Sequence, residues 1–566
     1  MTQSLRGDLR SQDSRIPPTG RDLAILAAAA ALVYFIRLGA TDLTFWDEIL
    51  YATRALSIGH ESGWLDQTAG SVGGLWTAAH PPLLIWQMAG LTAIFGPSEW
   101  ALRAPAALAG IGCVLVLYLF VRRLAIDPAV ARIAAAVLLL TPFFTQYARR
   151  AQLDVPILFW ILVCLYCGWR GVSGRLRWFA LSGVALGLGL MSKILVAFLG
   201  PIILGMFLLT EAMVGSRGRA ARGFVGVALM LALGAAVAAP WHLYMTAKLG
   251  TAYWTRALGY HVLSRTLMPL EGHTSSLGVF YWPHQILVRL GPFVPFLLLG
   301  LSREATKAEL GEGARRFLLC WVLVPLFAFT IVATKFHPYV LLFLVPLAVF
   351  AALGIHATLR GAVRPVASGA LLPASLSCLV WSVSLTLQRH LESVAAALGR
   401  AHAPPAPDLW PVVTFALAAG AAMAAGGFAA RAIRAERRRA WISRASVGAA
   451  LLPALVLAIL PVARGHGSWR ELRFELRGIS PDRVLLICED PVVGRYQLRA
   501  ARLADGVAWA VVPRDSAGSA LEASEHPGSL HPCVVIETAG GEPSPPASGF
   551  KERWRNRRFV LFERTP

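Results

Sequence analysis

Charge is what this chain has least of. Only 15% of its 566 residues are Asp, Glu, Lys or Arg, while 56% are hydrophobic and the mean hydropathy is +0.58. That composition excludes a string of soluble domains, of which a chain this long would hold about two to four. It leaves one polytopic membrane bundle for most of the length. Cysteine is scarce as well. Of seven in all, most lie in or beside apolar runs, where a thiol acts as a small apolar side chain. Cys488 and Cys533 stand apart, in a C-terminal segment whose expected compartment permits a disulfide; the sequence leaves their pairing open. No internal repeat is visible, and the one biased stretch is Gly540 to Ser548. The first apolar run follows a polar segment, residues 1–21, and lacks a small-residue cleavage site. It is expected to remain as an anchor, with 1–21 as a cytoplasmic tail.

What is present is a succession of apolar runs. Those near 22–39, 101–121, 130–148, 155–170, 178–192, 194–213, 223–245, 284–301, 317–334, 336–358, 367–388, 409–429 and 445–463 read as about thirteen spans of roughly 15–23 residues, the length a ~30 Å hydrocarbon core requires. The formal charge of +21 is no sign of nucleic-acid binding, because the arginines fall in short gaps between runs. Arg122-Arg123, Arg170 to Arg177, Arg217 to Arg222, Arg303 to Arg316, Arg360 to Arg364 and Arg431 to Arg444 occupy alternate gaps. The positive-inside rule makes that side cytoplasmic. Residues 40–100, 149–154, Lys193, 246–283, Lys335, 389–408 and 464–566 are then outside. His80 to Gly96 is apolar but opens with Pro81-Pro82. Counted as a span it would break the arginine alternation, so it is expected to be a helix lying in the outer interface.

After Arg464 the pattern changes. Arg483 to Cys488, Val507 to Val512, Cys533 to Glu537 and Arg558 to Phe562 read as short buried strands, with a helix over Gly494 to Ala504. The expected fold is therefore an all-α membrane bundle over 22–463, with an outer loop at 40–100, and a small external α/β domain over 464–566.

Two acidic residues carry the functional reading. Asp47 and Asp154 both sit just outside an apolar run, on the same expected side. A carboxylate at a membrane boundary carries a desolvation cost that function usually explains. Cations on the outer side run against the topology bias, and Lys193 and Lys335 each sit in a tight outer gap. An anionic ligand would account for them, and Arg149, Arg150 and Arg265 could bind phosphate bidentately.

The motif Trp46-Asp47-Glu48-x-x-Tyr51, then His80-Pro81-Pro82-Leu83, then Arg149-Arg150-x-x-x-Asp154 after a run containing Pro142-Phe143-Phe144, resembles bacterial GT-C glycosyltransferases. These are the group with the protein O-mannosyltransferases and the lipid A aminoarabinose transferase. The resemblance covers about residues 22–360. It implies an inverting transfer of a hexose or pentose from a polyprenyl-phosphate donor, on the outer face of the bacterial plasma membrane, to a protein, lipid or glycan acceptor. It implies no nucleic acid and no tightly bound cofactor. Some relatives hold a metal on a Glu before the Pro-Pro pair and a distant His. Here that place reads Ala79-His80, and no metal is assigned.

In such a reaction a base must take or orient the acceptor proton and cations must steady the departing phosphate. Asp47 is the expected base, with Asp154 as second carboxylate and the adjoining Glu48 as a third catalytic candidate, although on a helix it would point elsewhere. Lys193, Lys335, Arg149, Arg150 and Arg265 are the expected phosphate partners. Tyr51, His80, His261, His337 and Tyr339 are expected to line the substrate pocket, with His273, Trp46 and Trp76 as further candidates. The competing class is a transporter or flippase of lipid-linked substrates. That class places charge at mid-membrane on repeat-related broken helices, whereas here the acids gather at one face.

Overall fold

The computed structural model describes residues 20–44, 47–270, 275, 277–361 and, further on, 483–488, 508–513, 532–537, 550–555 and 559–564 with a few isolated positions. The first part is helical. Its elements are α1 (Gly20–Phe35), α2 (Asp47–Ser57), α3 (Leu83–Phe95), α4 (Glu99–Leu124), α5 (Pro128–Leu140), α6 (Pro142–Ala148), α7 (Asp154–Ser173), α8 (Arg177–Leu190), α9 (Leu199–Met213), α10 (Arg217–Leu249), α11 (Tyr281–Leu290), α12 (Val294–Gly300), α13 (Glu312–Ile331) and α14 (Leu341–Leu359).

Every expected span up to residue 358 falls on one of these helices or on a consecutive pair. Among the described residues, six helices are long and apolar enough to cross a membrane, or seven if the bent pair α5–α6 is one span. The shortfall against the expected count has local causes. The 284–301 run is interrupted at Gly291–Phe293 by a 3-10 turn, where Pro292 offers no N–H to the helix. Helices α1 and α8 have only 16 and 14 residues. The runs at 367–388, 409–429 and 445–463 lie outside the described residues, so the figure of thirteen is not reached here.

Two features of the bundle come directly from residue type. Pro142 cannot continue α5, and the chain turns 67° between α5 and α6. That bend carries Tyr147 and the following 149–153 loop across the end of the bundle. Glycine sets the closest helix crossings. A Cβ on Gly300 would lie 1.7 Å from the Phe350 carbonyl oxygen, and one on Gly354 would lie 2.0 Å from that of Phe296. Helices α12 and α14 therefore touch backbone to backbone. Gly183 and Gly187 of α8 press against α10 at Met230 and Gly234 in the same way, the small-residue contact that membrane helices favour.

The two ends of the bundle differ in charge. At one end lie the arginine-bearing gaps. Glu211 is buried between Arg219 and Arg316. Asp127 and Glu309 are bridged by Arg360 and His356. The opposite end carries α2, the loop to α3, the 149–153 loop and the turn before Ile194. Helix α3 begins after Pro82, packs against α2 and α4, and is tied by the Leu83 N–H to the Met191 carbonyl.

The C-terminal strands β1 (Arg483–Cys488), β2 (Ala508–Pro513), β3 (Pro532–Glu537), β4 (Phe550–Arg555) and β5 (Phe559–Arg564) form one sheet in the order β2-β1-β3-β5-β4. Strand β1 is parallel to β2 and β3; β5 is antiparallel to β3 and β4. Alternate residues of β1, β3 and β5 enter two separate apolar clusters, one on each face. Four strands match the expected runs within a residue or two. Strand β4 was not expected, because Lys551, Glu552, Arg553 and Arg555 give it no apolar alternation; charge of this kind suits an edge strand. The expected helix at 494–504 lies outside the described residues. Register answers the cysteine question. Cys533 pairs opposite Val484, so Cys488 is four residues further along, about 13 Å at ~3.3 Å per residue. A disulfide requires Cα atoms within about 7 Å.

The glycine crossing gives a direct test. Gly354→Ala should lower the thermal unfolding midpoint of the detergent-purified protein, at a cost of about 1–3 kcal/mol or more, because two backbones must separate. Gly205→Ala, where an added Cβ meets nothing within 4 Å, should be neutral. Equal midpoints for the two variants would contradict the close packing.

Candidate active site

A cavity of about 210 Å³ opens at the end of the bundle opposite the arginine-rich gaps. Asp47, Tyr51, His80, Arg150, Asp154, Lys193, His261, Arg265, His337 and Tyr339 all line it. Ten of the thirteen expected residues, from six stretches of chain, therefore meet in one place.

Local structure explains how they get there. Asp47 opens α2 and Asp154 opens α7, where the helix dipole favours negative charge. Gln152 reaches from its loop towards Asp47, with Nε2 3.5 Å from Oδ2. Lys193 lies 3.6 Å from Asp154, with its ammonium 5.3 Å from the centre of the Tyr339 ring. Burial alone would depress the Lys193 pKa, but Asp154, Tyr339 and Asp47 hold it above its usual value. Lys193 is thus a firm cation.

His261 comes from a ten-residue π-helix, Thr255–Ser264, a wide form often found at functional sites. Its Nε2 is 2.8 Å from the Trp76 carbonyl oxygen, so Nε2 carries the hydrogen. The His80 and His261 rings are 4.1 Å apart between centroids. Burial, then His261 and the nearby cations, push the His80 pKa well below its usual range, so His80 is neutral at physiological pH. Arg265 follows the π-helix. Its carbonyl accepts the Thr334 N–H, fixing the segment against the 333–334 strap, and its guanidinium lies 4.8 Å from the centre of the Phe336 ring. His337 Nε2 and the Tyr147 hydroxyl are 2.8 Å apart.

Three expected site residues are placed elsewhere, each for a stated reason. Glu48 is fully buried, away from the cavity. Arg103 binds it bidentately at 2.8 and 3.0 Å, and it also accepts Thr44 N–H, Thr44 Oγ1–H and Ala151 N–H. Burial raises a carboxyl pKa, but Arg103 and these donors overcome it and bring Glu48 down to about 2. Arg149 donates to the carbonyls of Val33, Tyr34 and Ile36, closing the C-terminus of α1. Lys335 donates to the carbonyls of Phe329, Thr330 and Val332, doing the same for α13. Both cations satisfy orphan carbonyls at a negative helix end rather than a ligand.

The cavity also contains residues not expected from sequence, among them Gln152, Tyr147 and Thr77. Their only signal was proximity to the quoted motifs. Trp76, weighed as a pocket residue, does line it; Trp46 and His273 lie outside the described residues. Arg54 was missed too. It is fully buried beneath the pocket and donates to the carbonyls of Thr77 and His80 and to Gln67 Oε1, so it shapes the turn that presents His80. A smaller, mainly apolar cavity of about 60 Å³ adjoins the first and shares His80, Lys193, His261, Arg265 and Tyr339 with it. Among the described residues, the His and carboxylate grouping compact enough for a metal is Asp127, Glu309 and His356, at the other end of the bundle. There Arg360 already lies across both carboxylates.

Comparison with known proteins agrees with this picture. Residues 79–244 match the family described as dolichyl-phosphate-mannose-protein mannosyltransferase. An undecaprenyl phosphate-alpha-4-amino-4-deoxy-L-arabinose arabinosyl transferase of Pseudomonas savastanoi is 27% identical over 337 residues, covering 59% of this chain and 61% of the relative. The protein of the same name from Pseudomonas aeruginosa is 27% identical over 341 residues, 57% of this chain and 58% of the relative. The chain thus spans about three fifths of the length of these relatives. In fold it is similar to ArnT from Cupriavidus metallidurans bound to undecaprenyl phosphate, with a TM-score of 0.60 and 17% identity over 96% of this chain and 98% of that one. The same protein in the apo state gives 0.59. In sequence and fold the chain resembles a GT-C glycosyltransferase of the lipid A aminoarabinose transferase kind.

Two predictions follow from the geometry. Glu48→Gln should destabilise the protein by about 3–5 kcal/mol at neutral pH, the usual cost of breaking a buried ion pair. Because the folded-state pKa is depressed, this stabilisation is complete above about pH 4.5 and is lost as pH falls towards 2. The gap in unfolding temperature between wild type and variant should therefore hold from pH 7 to about 5 and narrow only below that. A gap that narrows on raising the pH would contradict the assignment. The two lysines should also separate. Lys193→Ala should weaken use of a phosphate-bearing donor about 10- to 100-fold, the loss of one charge-assisted contact. Lys335→Ala should lower the melting temperature and leave donor use within about threefold. Equal effects in a donor titration would argue against the division drawn here.

Proposed function

We propose that the protein is an integral membrane glycosyltransferase that moves a sugar from a polyprenyl-phosphate donor to an acceptor at the outer face of the bacterial plasma membrane. The observation that carries this reading is the single cavity where Asp47 and Asp154 meet Arg150, Lys193 and Arg265, at the end of the bundle away from the arginine-bearing gaps. By the positive-inside rule that end faces outward, where nucleotide sugars are absent and a lipid-linked donor is required. The transporter reading has no counterpart among the relatives.

The chemistry uses the asymmetry of the site. Among the described residues that line the cavity, three cations stand with two carboxylates. A sugar phosphodiester carries one negative charge, and the departing lipid phosphate carries up to about two. The field therefore favours the products over the bound donor, which is the electrostatic condition for lowering the barrier. Lys193, Arg265 and Arg150 are the groups for the phosphate. Asp47 takes or orients the acceptor proton while the acceptor oxygen attacks the anomeric carbon from the face opposite the phosphate, inverting it. Asp154, next to Lys193, is the second carboxylate and orients acceptor or sugar. Neutral His80 and the Nε2-protonated His261 offer hydrogen bonds without adding charge. Tyr51, His337 and Tyr339 complete the pocket wall. The adjoining apolar cavity suits the first isoprene units of the donor. The sheet after residue 483 is taken as an external domain, and the remaining expected spans complete a bundle of about thirteen helices. The acceptor is a lipid, protein or glycan; the relatives' names make an undecaprenyl-phosphate-linked 4-amino-4-deoxy-L-arabinose the first donor to try.

Asp47→Asn should cut transfer at least about 100-fold with little loss of folded protein, since general-base effects are typically ~10²–10⁴-fold. Asp154→Asn should also be severe. The measurement is sugar transfer by purified protein against polyprenyl-phosphate-sugar concentration. If Asp47→Asn keeps more than about a tenth of the activity, or if a soluble nucleotide sugar serves equally well, the mechanism is wrong.

A further inference from the structure

Beyond the cavity lies a buried ion pair that touches both of the segments bearing its carboxylates. Glu48 follows Asp47 directly, and on a helix adjacent side chains point about 100° apart, so Asp47 meets the cavity while Glu48 enters the protein. Glu48 Oε1 accepts Arg103 Nε at 2.8 Å and the Ala151 N–H at 2.8 Å. Oε2 accepts Arg103 Nη2 at 3.0 Å, Thr44 N–H at 2.8 Å and the Thr44 hydroxyl at 2.7 Å. Arg103 spends its remaining donors on the carbonyls of Leu38, Thr41 and Asp42 and on Thr41 Oγ1. One carboxylate thus fixes the start of α2, which carries Asp47, and the 149–153 loop, which leads into Asp154. Arg103 fixes both to α4 and to the 38–44 segment.

We infer that Glu48 and Arg103 are positioning residues, which set the separation of Asp47 and Asp154 without touching substrate. The two segments also share an apolar cluster of Tyr51, Ala52, Ala55, Ala151 and Leu153, but apolar packing is non-directional, whereas Glu48 gives a short directed bond at 2.8 Å; the Gln152 to Asp47 contact is 3.5 Å long. The requirement is geometric, because Oε1 has to receive a guanidinium and a backbone N–H at once. A Gln in this place keeps one acceptor oxygen and turns an NH2 group towards the other donors. A Lys in place of Arg103 keeps the charge and loses the fork. A displacement of the reacting groups by about 1 Å costs on the order of a hundredfold in rate.

The inference rests on the reading under Proposed function, and its test separates the two. Glu48→Gln, Arg103→Lys and the milder Thr44→Val are purified and compared with wild type in three measurements: unfolding temperature, donor concentration dependence of transfer, and hydrogen exchange of the 149–154 segment. Folded Glu48→Gln and Arg103→Lys should show kcat lowered about 100-fold. Their apparent KM for donor should stay within about threefold, and the pH dependence should be unshifted, since Asp47 remains the titrating group. Exchange at Ala151 should rise while the transmembrane helices stay protected. Thr44→Val, with one bond lost and shape kept, should fold and give a smaller drop in kcat of about 3- to 10-fold; it decides the matter if the other two do not fold. Folded variants with wild-type kcat overturn the inference, as does a raised donor KM at unchanged kcat. Loosened exchange with kcat intact also overturns it. Failure of wild type itself to use the lipid donor overturns the functional reading instead, and the exchange measurement still reports whether Glu48 holds the 149–154 segment in place.

Discussion

A carboxylate removed from water must find its donors within the protein, and in this chain that constraint organises the cavity end of the bundle around Glu48. Its ionised form is tolerable because a guanidinium, two backbone N–H groups and a hydroxyl all converge on it. A buried pair of this kind is weak evidence for net stability, since desolvation offsets much of the attraction. What it does supply is definition. Three stretches of chain distant in sequence, 38–48, Arg103 and Ala151, meet at the pair, and their arrangement brings Asp47 and Asp154 to the same cavity. Covalent adjacency then gives Asp47 and Glu48 opposite fates, one facing open volume and the other saturated.

The cations divide by a similar rule. A helix that ends inside a membrane protein leaves carbonyls that water cannot reach. Arg149 closes α1 and Lys335 closes α13 in this way. Lys193 has a different setting. It sits just before the Ile194 helical turn, at a helix start where the dipole repels a cation, so its charge is directed to Asp154 and the cavity. Arg150 and Arg265 likewise meet aromatic faces and the cavity rather than carbonyl clusters. Lys193, Arg150 and Arg265 are thus the cations that line the cavity, while Arg149 and Lys335 are taken up by helix termini.

Much of this was legible in the sequence, and the limits have physical causes. Apolar run length located the helices through α14, and the arginine alternation separated the two ends, because both signals are sums over many residues. The pocket was legible because its residues stand next to helix starts and tight turns. What sequence could not place were Arg149 and Lys335, whose partners are backbone carbonyls, and Glu48, whose main partner Arg103 lies 55 residues away. Phe329, Thr330 and Val332 accept Lys335 through their carbonyls, which carry no side-chain signature. Arg54 and Arg103 were missed for the related reason that each sits inside an apolar or neutral context and binds groups far away in sequence. Strand β4 escaped because an edge strand is recognised by its pairing, here with β5, and not by alternation.

Charge burial also differs between the two ends in a way that bears on function. At the arginine-bearing end, Glu211, Glu309 and Asp127 each have an arginine at hand, so the basic gaps serve structure as well as topology. At the cavity end Glu48 is sealed by Arg103, whereas Asp47 and Asp154 line the cavity with cations nearby. A carboxylate facing a partly dry cavity is costly, and on the proposed reading that cost is offset where these acids and cations act on a ligand. Helix bending at Pro142 and the buried Glu48–Arg103 pair together place the 149–153 loop and the start of α2 beside that cavity.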